Sequence, residues 1–161
     1  MAINAGDPVP EGTLTKMGEE GPEPVSTDAL FKGRKVVFFA VPGAFTPTCA
    51  IKHLPGYQRD ADAIRNSGVD AIACMAVNDV FVMDAWAKSA GTGDDVLMLA
   101  DGNGDYAAAL GLSWDLSGLG LGTRSQRFSM IVDDGVVTHL NVEVPGEFSV
   151  SASDRILDQL G

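Results

Sequence analysis

Three features of the sequence predict an α/β fold with a mixed central sheet flanked by helices. Apolar runs at residues 36–41, 69–77 and 96–100 alternate with segments of helical periodicity, the βαβαβ order of a parallel sheet. Two more apolar runs, 127–133 and 136–143, flank Asp134-Gly135, a strong hairpin signal that adds antiparallel pairing. A length of 161 residues makes one domain, 1–161, large enough for a real core.

Taken in order, residues 1–28 are rich in Pro, Gly and acidic side chains. They read as an irregular or hairpin-like lead-in with a short strand at 13–17. Ser26-Thr27-Asp28 caps a single helical turn over Ala29-Leu30-Phe31, ended by Gly33. Residues 36–41 are apolar on both faces, which places them in a buried central strand. A first helical turn follows at 46–51, and Pro55 kinks or restarts the helix. Tyr57, Ala61 and Ile64 keep helical spacing up to a stop at Gly68. After the strand at 69–77, Asn78 or Asp79 caps a helix whose apolar face includes Val82 and Trp86. A third strand at 96–100 leads through a turn at 101–105 into a short helix at 106–110. The hairpin comes next, and Ser151 or Ser153 caps a last helix that runs to Leu160. No internal repeat, low-complexity segment or linker interrupts this order.

Composition narrows the function classes. The chain is 45% hydrophobic and 20% charged, ordinary values for a soluble globular protein. Its net charge of −11 argues against binding nucleic acid or anionic membranes through a general basic field. The first residues lack the basic and apolar regions of a secretory signal and the Arg-rich character of a transit peptide. Two cysteines do not make a disulfide scaffold, so a reducing, cytoplasmic setting is expected.

The stretch that carries chemistry is Pro42-Gly43-Ala44-Phe45-Thr46-Pro47-Thr48-Cys49. A strand feeds a Pro-Gly turn and then delivers one thiol to the first turn of a helix. A thiolate is the reactive form of cysteine, and a helix N-terminus favours an anion through unpaired N–H groups and a partial positive charge. Thr46 lies one helical turn before Cys49, with a hydroxyl that can donate and accept, which suits a substrate of the form R–O–O–H. Thr46-x-x-Cys49 cannot close the internal disulfide of a Cys-x-x-Cys oxidoreductase. A lone cysteine is otherwise a small apolar core filler.

On Pro42, Thr46 and Cys49 the sequence resembles the peroxiredoxins. The continuation Lys52-His53-Leu54-Pro55-Gly56-Tyr57 resembles their peroxiredoxin-5 subfamily, which includes the plant type II enzymes. Matching blocks recur at Val77-Asn78-Asp79-Val80-Phe81-Val82 and Arg124-Ser125-Gln126-Arg127-Phe128-Ser129-Met130. The resemblance implies a thioredoxin-like fold and reduction of hydrogen peroxide and alkyl hydroperoxides. It assigns the peroxidatic role to Cys49 through a sulfenic acid, shielding of the thiolate to Pro42, and peroxide orientation to Thr46. Arg127 would stabilise the thiolate and the transition state. No cofactor or metal is implied. A homodimer formed through the loops around the site is.

The family's single-chain two-cysteine members carry a resolving cysteine in a C-terminal loop. Here that loop reads Pro145-Gly146-Glu147-Phe148-Ser149-Val150-Ser151, without one. A one-cysteine cycle recycled by glutathione or glutaredoxin is therefore expected. The alternatives are a Cys49–Cys74 two-cysteine cycle recycled by thioredoxin, and a non-catalytic docking module that presents Phe45, Phe81 and Trp86. Cys74 sits inside an apolar strand and reads first as a buried core thiol. His53 shares a helix face with Cys49 and reads as structural or hydrogen-bonding, with a route to thiol activation if it is cationic. Neither a cysteine hydrolase nor a four-ligand metal site can be completed, since only His139 remains as a further histidine. Arg124 reads as a surface or supporting residue, less well matched than Arg127. Asp101–Asp105 lacks the Gly and Glu of a calcium loop, and 118–122 lacks a phosphate-loop Lys and reads as a mobile loop beside the site.

Overall fold

The computed structural model describes residues 1–161. In chain order the elements are β1 (Thr13–Gly18), β2 (Gly21–Ser26), α1 (Thr27–Phe31), β3 (Lys35–Val41), a π-helical turn (Cys49–His53), α2 (Leu54–Asn66), β4 (Ala71–Ala76), α3 (Val80–Ala90), β5 (Leu97–Ala100), α4 (Asp105–Leu110), β6 (Ser113–Asp115), a 3-10 turn (Ser117–Leu119), β7 (Thr123–Ser125), β8 (Phe128–Asp133), β9 (Val136–Val142) and α5 (Ser153–Leu160). Seven strands form one sheet in the order β2-β1-β5-β4-β3-β8-β9. β3, β4 and β5 run parallel, whereas β8 pairs antiparallel with both β3 and β9. The sheet is mixed, as the alternating runs and the hairpin signal require.

β3 is apolar on both faces because both faces are covered. Val37, Phe39 and Val41 enter one core with Tyr57 and Ile64 of α2, Met83 and Trp86 of α3, and Ile156 of α5. Val36, Phe38 and Ala40 enter a second core with Phe31 of α1 and Tyr106, Ala107 and Leu110 of α4. Between β8 and β9, Asp134 and Gly135 both take positive φ, at 48° and 78°, the backbone that a two-residue hairpin turn demands.

The register positions the site. Ala40 of β3 lies opposite Phe128 of β8, and Phe128 lies opposite Val142 of β9. Arg127 therefore enters the sheet beside the C-terminal end of β3, where the chain turns toward Cys49. The amide of Glu143 donates to the Arg127 carbonyl at 3.0 Å, which extends the β8–β9 ladder by one step.

Several local expectations are corrected. Neither Ser151 nor Ser153 caps α5. Ala152 occupies that position, because the Ser151 hydroxyl donates to Glu143 (2.7 Å) and the Ser153 hydroxyl to Asp60 (2.7 Å). Val80 and Met83 accompany Trp86 on the buried face of α3, and Val82 is only half-buried. Asp79, not Asn78, caps α3 by accepting from the Val82 amide. Asn78 instead accepts from the Ala44 amide at 2.9 Å, tying the turn before Cys49 to the start of α3. Residues 118–122 belong to the connection of a small β6–β7 hairpin. Asp101–Asp105 is a turn, as expected, in which the Asp101 carboxylate accepts from the Tyr106 and Ala107 amides at 3.0 and 2.8 Å. Asp101 is buried, so Asp101→Ala leaves two amides of the first turn of α4 without an acceptor. The substitution should lower stability by about 2 kcal/mol, read as a lower midpoint in urea with an unchanged slope.

Candidate active site

β3 ends at Val41, and the chain leaves the sheet through Pro42 and Gly43. The Ala50 amide donates to the Thr46 carbonyl at 2.9 Å, which makes Thr46 the N-cap and Pro47 the first helical residue. Pro47 loses nothing there, since an N–H at that position has no intrahelical acceptor. Cys49 follows in the same first turn, where the peptide dipoles favour a negative group. The helix then widens. The Leu54 amide donates five residues back, to the Cys49 carbonyl, and Pro55 restarts a regular α-helix. The expected first turn at 46–51 is thus a short helical start that passes into a π turn. That turn brings His53 inward, fully buried, together with Cys49.

The side chains converge as a chain of contacts. Arg127 donates through Nη2 to Cys49 Sγ at 3.0 Å, and Nη1 lies 2.9 Å from His53 Nδ1. A guanidinium only donates, so His53 Nδ1 must accept. The proton of His53 then sits on Nε2, which donates to the Ser151 carbonyl at 3.0 Å. The same carbonyl accepts from the Tyr57 hydroxyl at 2.7 Å. Phe39 stacks on Tyr57 with ring centroids 3.9 Å apart, and Phe148 lies 5.0 Å from the His53 ring and 5.8 Å from the Arg127 guanidinium.

This geometry removes one expectation for His53. Burial first, and then the Arg127 charge, pull its pKa down to about 3, against a small opposing effect from the Ser151 carbonyl. His53 is a neutral acceptor that orients Arg127 and supplies no cation to the sulfur.

Arg127 is 9% exposed, and no carboxylate lies within ion-pair distance of it. A buried cation without an anion is costly, and the side-chain atoms this guanidinium donates to are Cys49 Sγ and His53 Nδ1. In general a cation beside a cysteine sulfur favours its thiolate, the nucleophilic form. Cys49 itself has no exposed surface. A cleft of about 130 Å³ opens beside Arg127, lined by Thr48, Trp114, Gln126, Val144 and Pro145 among others.

The other sequence candidates take these places. The Thr46 hydroxyl donates to the Gly43 carbonyl at 2.6 Å, so its lone pairs remain free to accept. Pro42 is half-buried, and its carbonyl lies 3.4 Å from Arg124 Nη1. Arg124 also donates to the Leu121 carbonyl at 2.7 Å, so it braces the turn as a supporting residue and does not reach the sulfur. Cys74 is a free, fully buried thiol in the middle of β4, raised well above its ordinary pKa first by burial and then by the neighbouring Cys49. Of the aromatic residues considered for docking, Trp86 is core, whereas Phe45 and Phe81 are exposed. No group of three or more His, Cys, Asp or Glu side chains is arranged to hold a metal ion. Sequence reasoning missed Glu143, the Ser151 carbonyl, Phe148 and Trp114. Glu143 left one trace, an acid between Val142 and Val144 at the end of an apolar strand. A backbone carbonyl leaves none.

The redoxin family model matches residues 4–157. Peroxiredoxin-2B of Arabidopsis thaliana is 48% identical over 159 residues, covering 98% of each chain. The crystal structure of reduced Prx3 of Vibrio vulnificus in complex with hydrogen peroxide superposes with a TM-score of 0.95 at 50% identity, over 99% of each chain. Peroxiredoxin 5 of Alvinella pompejana superposes with a TM-score of 0.86 at 33% identity, over 98% of this chain and 97% of that one.

The depressed His53 pKa sets a pH dependence. Unfolded His53 takes up a proton below about pH 6.5, while folded His53 does not until about pH 3. The unfolded state binds the extra proton in that window, so stability falls as pH drops through it, by up to about 1.4 kcal/mol per pH unit. Urea titrations between about pH 6.5 and pH 5 should show this loss in the wild type and a smaller one in His53→Asn.

Proposed function

Because the chain belongs to the peroxiredoxins, thiol peroxidases of the redoxin family, we propose that Cys49 is its peroxidatic nucleophile and that Arg127, Thr46 and Pro42 complete the catalytic site. The observation that carries this reading is the guanidinium 3.0 Å from the sulfur, with no carboxylate to neutralise it. The Cys49 thiolate attacks the terminal oxygen of a hydroperoxide. An S–O bond forms as the O–O bond breaks, and its electron pair leaves on the alkoxide or hydroxide, which takes up a proton to become the alcohol or water. Sulfur is oxidised to the sulfenic acid and the peroxide is reduced. Arg127 donates to the oxygens as charge develops on them, and the Thr46 hydroxyl accepts from the peroxide O–H while its own O–H donates to the Gly43 carbonyl. Pro42 presents a half-buried ring without an N–H and limits the access of water to the sulfur.

For the second half of the cycle we propose external recycling by glutathione or glutaredoxin. Loop residues 145–151 contain no cysteine, and Cys74 is fully buried with its thiol pushed upward, a poor attacking group. The attacking sulfur of a small thiol would form a mixed disulfide with Cys49 and release water, and a second thiol would then restore the thiolate. A Cys49–Cys74 disulfide recycled by thioredoxin is the competing route. Exposed Phe45, Ile51 and Phe81 flank the site and support a homodimer through this face. Two free cysteines suit the cytoplasm, where thiols stay reduced.

Peroxide consumption supported by glutathione, glutaredoxin or thioredoxin tests the scheme. Cys49→Ser should abolish turnover with every donor, and Cys74→Ser should retain turnover with glutathione or glutaredoxin. Loss of turnover in Cys74→Ser would move the resolving step to Cys74. Sedimentation should show a dimer in the wild type and a weaker one in Phe45→Ser.

A further inference from the structure

Building on that reading of Cys49 and Arg127, we propose that Glu143 is a positioning residue for the peroxidase reaction: its carboxylate anchors the backbone that holds His53, and through His53 aims Arg127 at the sulfur. Glu143 is 5% exposed, and no Lys, Arg or His lies within ion-pair distance of it. Its charge is met by donors from one short segment. Oε2 accepts from the amides of Ser149 (2.9 Å), Val150 (2.9 Å) and Ser151 (2.8 Å), and from the Ser151 hydroxyl (2.7 Å). Oε1 accepts from the Ser149 amide (3.0 Å) and hydroxyl (3.4 Å). Burial opposes the charge, but the Ser151 hydroxyl and the three amides outweigh it and hold the carboxyl below its ordinary pKa.

Three consecutive amides aimed at one carboxylate fix the orientation of the peptide planes between them. The carbonyl that follows, that of Ser151, is the acceptor for His53 Nε2. His53 then has one usable tautomer, with Nδ1 open to Arg127 Nη1, and this contact leaves Nη2 directed at Cys49. The backbone closes the circuit, because the Glu143 amide donates to the Arg127 carbonyl at 3.0 Å. Glu143 thus holds Arg127 twice, once through the strand ladder and once through the loop. Phe148, which packs against both His53 and Arg127, belongs to the same pinned segment.

Glu143 also lines the cleft beside Arg127, and Glu143→Ala removes the anchor while keeping Cys49, Arg127 and Thr46 themselves unchanged. Two readouts separate positioning from simple loosening. The first is the rate of Cys49 oxidation by hydrogen peroxide in a single turnover, followed by intrinsic fluorescence. The second is the pH profile of Cys49 alkylation. In Glu143→Ala the oxidation rate should fall about tenfold or more, and the alkylation profile should move to higher pH. The comparison variant is Asp60→Asn, which weakens the contact to Ser153 just beyond the segment. It should leave both readouts at wild-type values. If Glu143→Ala does not fold, Glu143→Gln, with one acceptor oxygen fewer, carries the same test with a smaller shift. Wild-type values in a folded Glu143 variant would overturn the proposal, and so would equal losses in Glu143→Ala and Asp60→Asn. An Arg127→Ala variant that oxidises as fast as wild type would instead overturn the underlying assignment of Arg127.

Discussion

The interaction on which this structure depends is a single charge-assisted contact, Arg127 Nη2 to Cys49 Sγ at 3.0 Å. Both partners are buried, and the cation has no carboxylate to balance it. In water such a contact would be weak and easily exchanged. On the reading proposed here, a low-dielectric site lets it bias the sulfur toward its anion and leaves a guanidinium in place to stabilise the leaving oxygen. In that proposal one residue serves the resting nucleophile and the transition state without moving.

The fold produces this contact by register. β3 must be apolar on both faces to sit between two helical layers, and it ends where Pro42 cannot donate to a neighbouring strand. β8 runs antiparallel beside it, so the beginning of β8 meets the end of β3. The helix start at Thr46 and the guanidinium of Arg127 are far apart in sequence, yet this pairing puts them at the same edge of the sheet. The π turn then carries His53 inward with Cys49. Burial makes His53 neutral, and neutrality is what lets it accept from an arginine. The same desolvation that would destroy a catalytic imidazolium here creates a support for the guanidinium.

Much of this was legible in the residues. The central strands announced themselves by apolar runs, the hairpin by Asp134-Gly135, and the thiol by its place after Pro42 and Thr46. What escaped had physical reasons. β6 and β7 are three residues each, too short to show a period, and the Gly-rich connection between them reads as loop. Ser151 and Ser153 look like helix caps in sequence, but Glu143 and Asp60, remote from α5, take their hydroxyls. The charge state of His53 depends on burial by Phe39, Tyr57 and Phe148, which come from three separate segments. The support beneath Arg127 runs through a backbone carbonyl, which has no signature in any side chain.

The most direct measurement is an ultraviolet titration of the thiolate in reduced Cys74→Ser protein, with and without Arg127→Gln. Removing Cys74 leaves Cys49 as the sole thiol, and the glutamine keeps the bulk of the side chain while deleting its charge. If the guanidinium holds the sulfur as an anion, the titration midpoint rises in the glutamine variant. Superimposable titrations would contradict the account, because the sulfur would then owe its charge state to something other than Arg127.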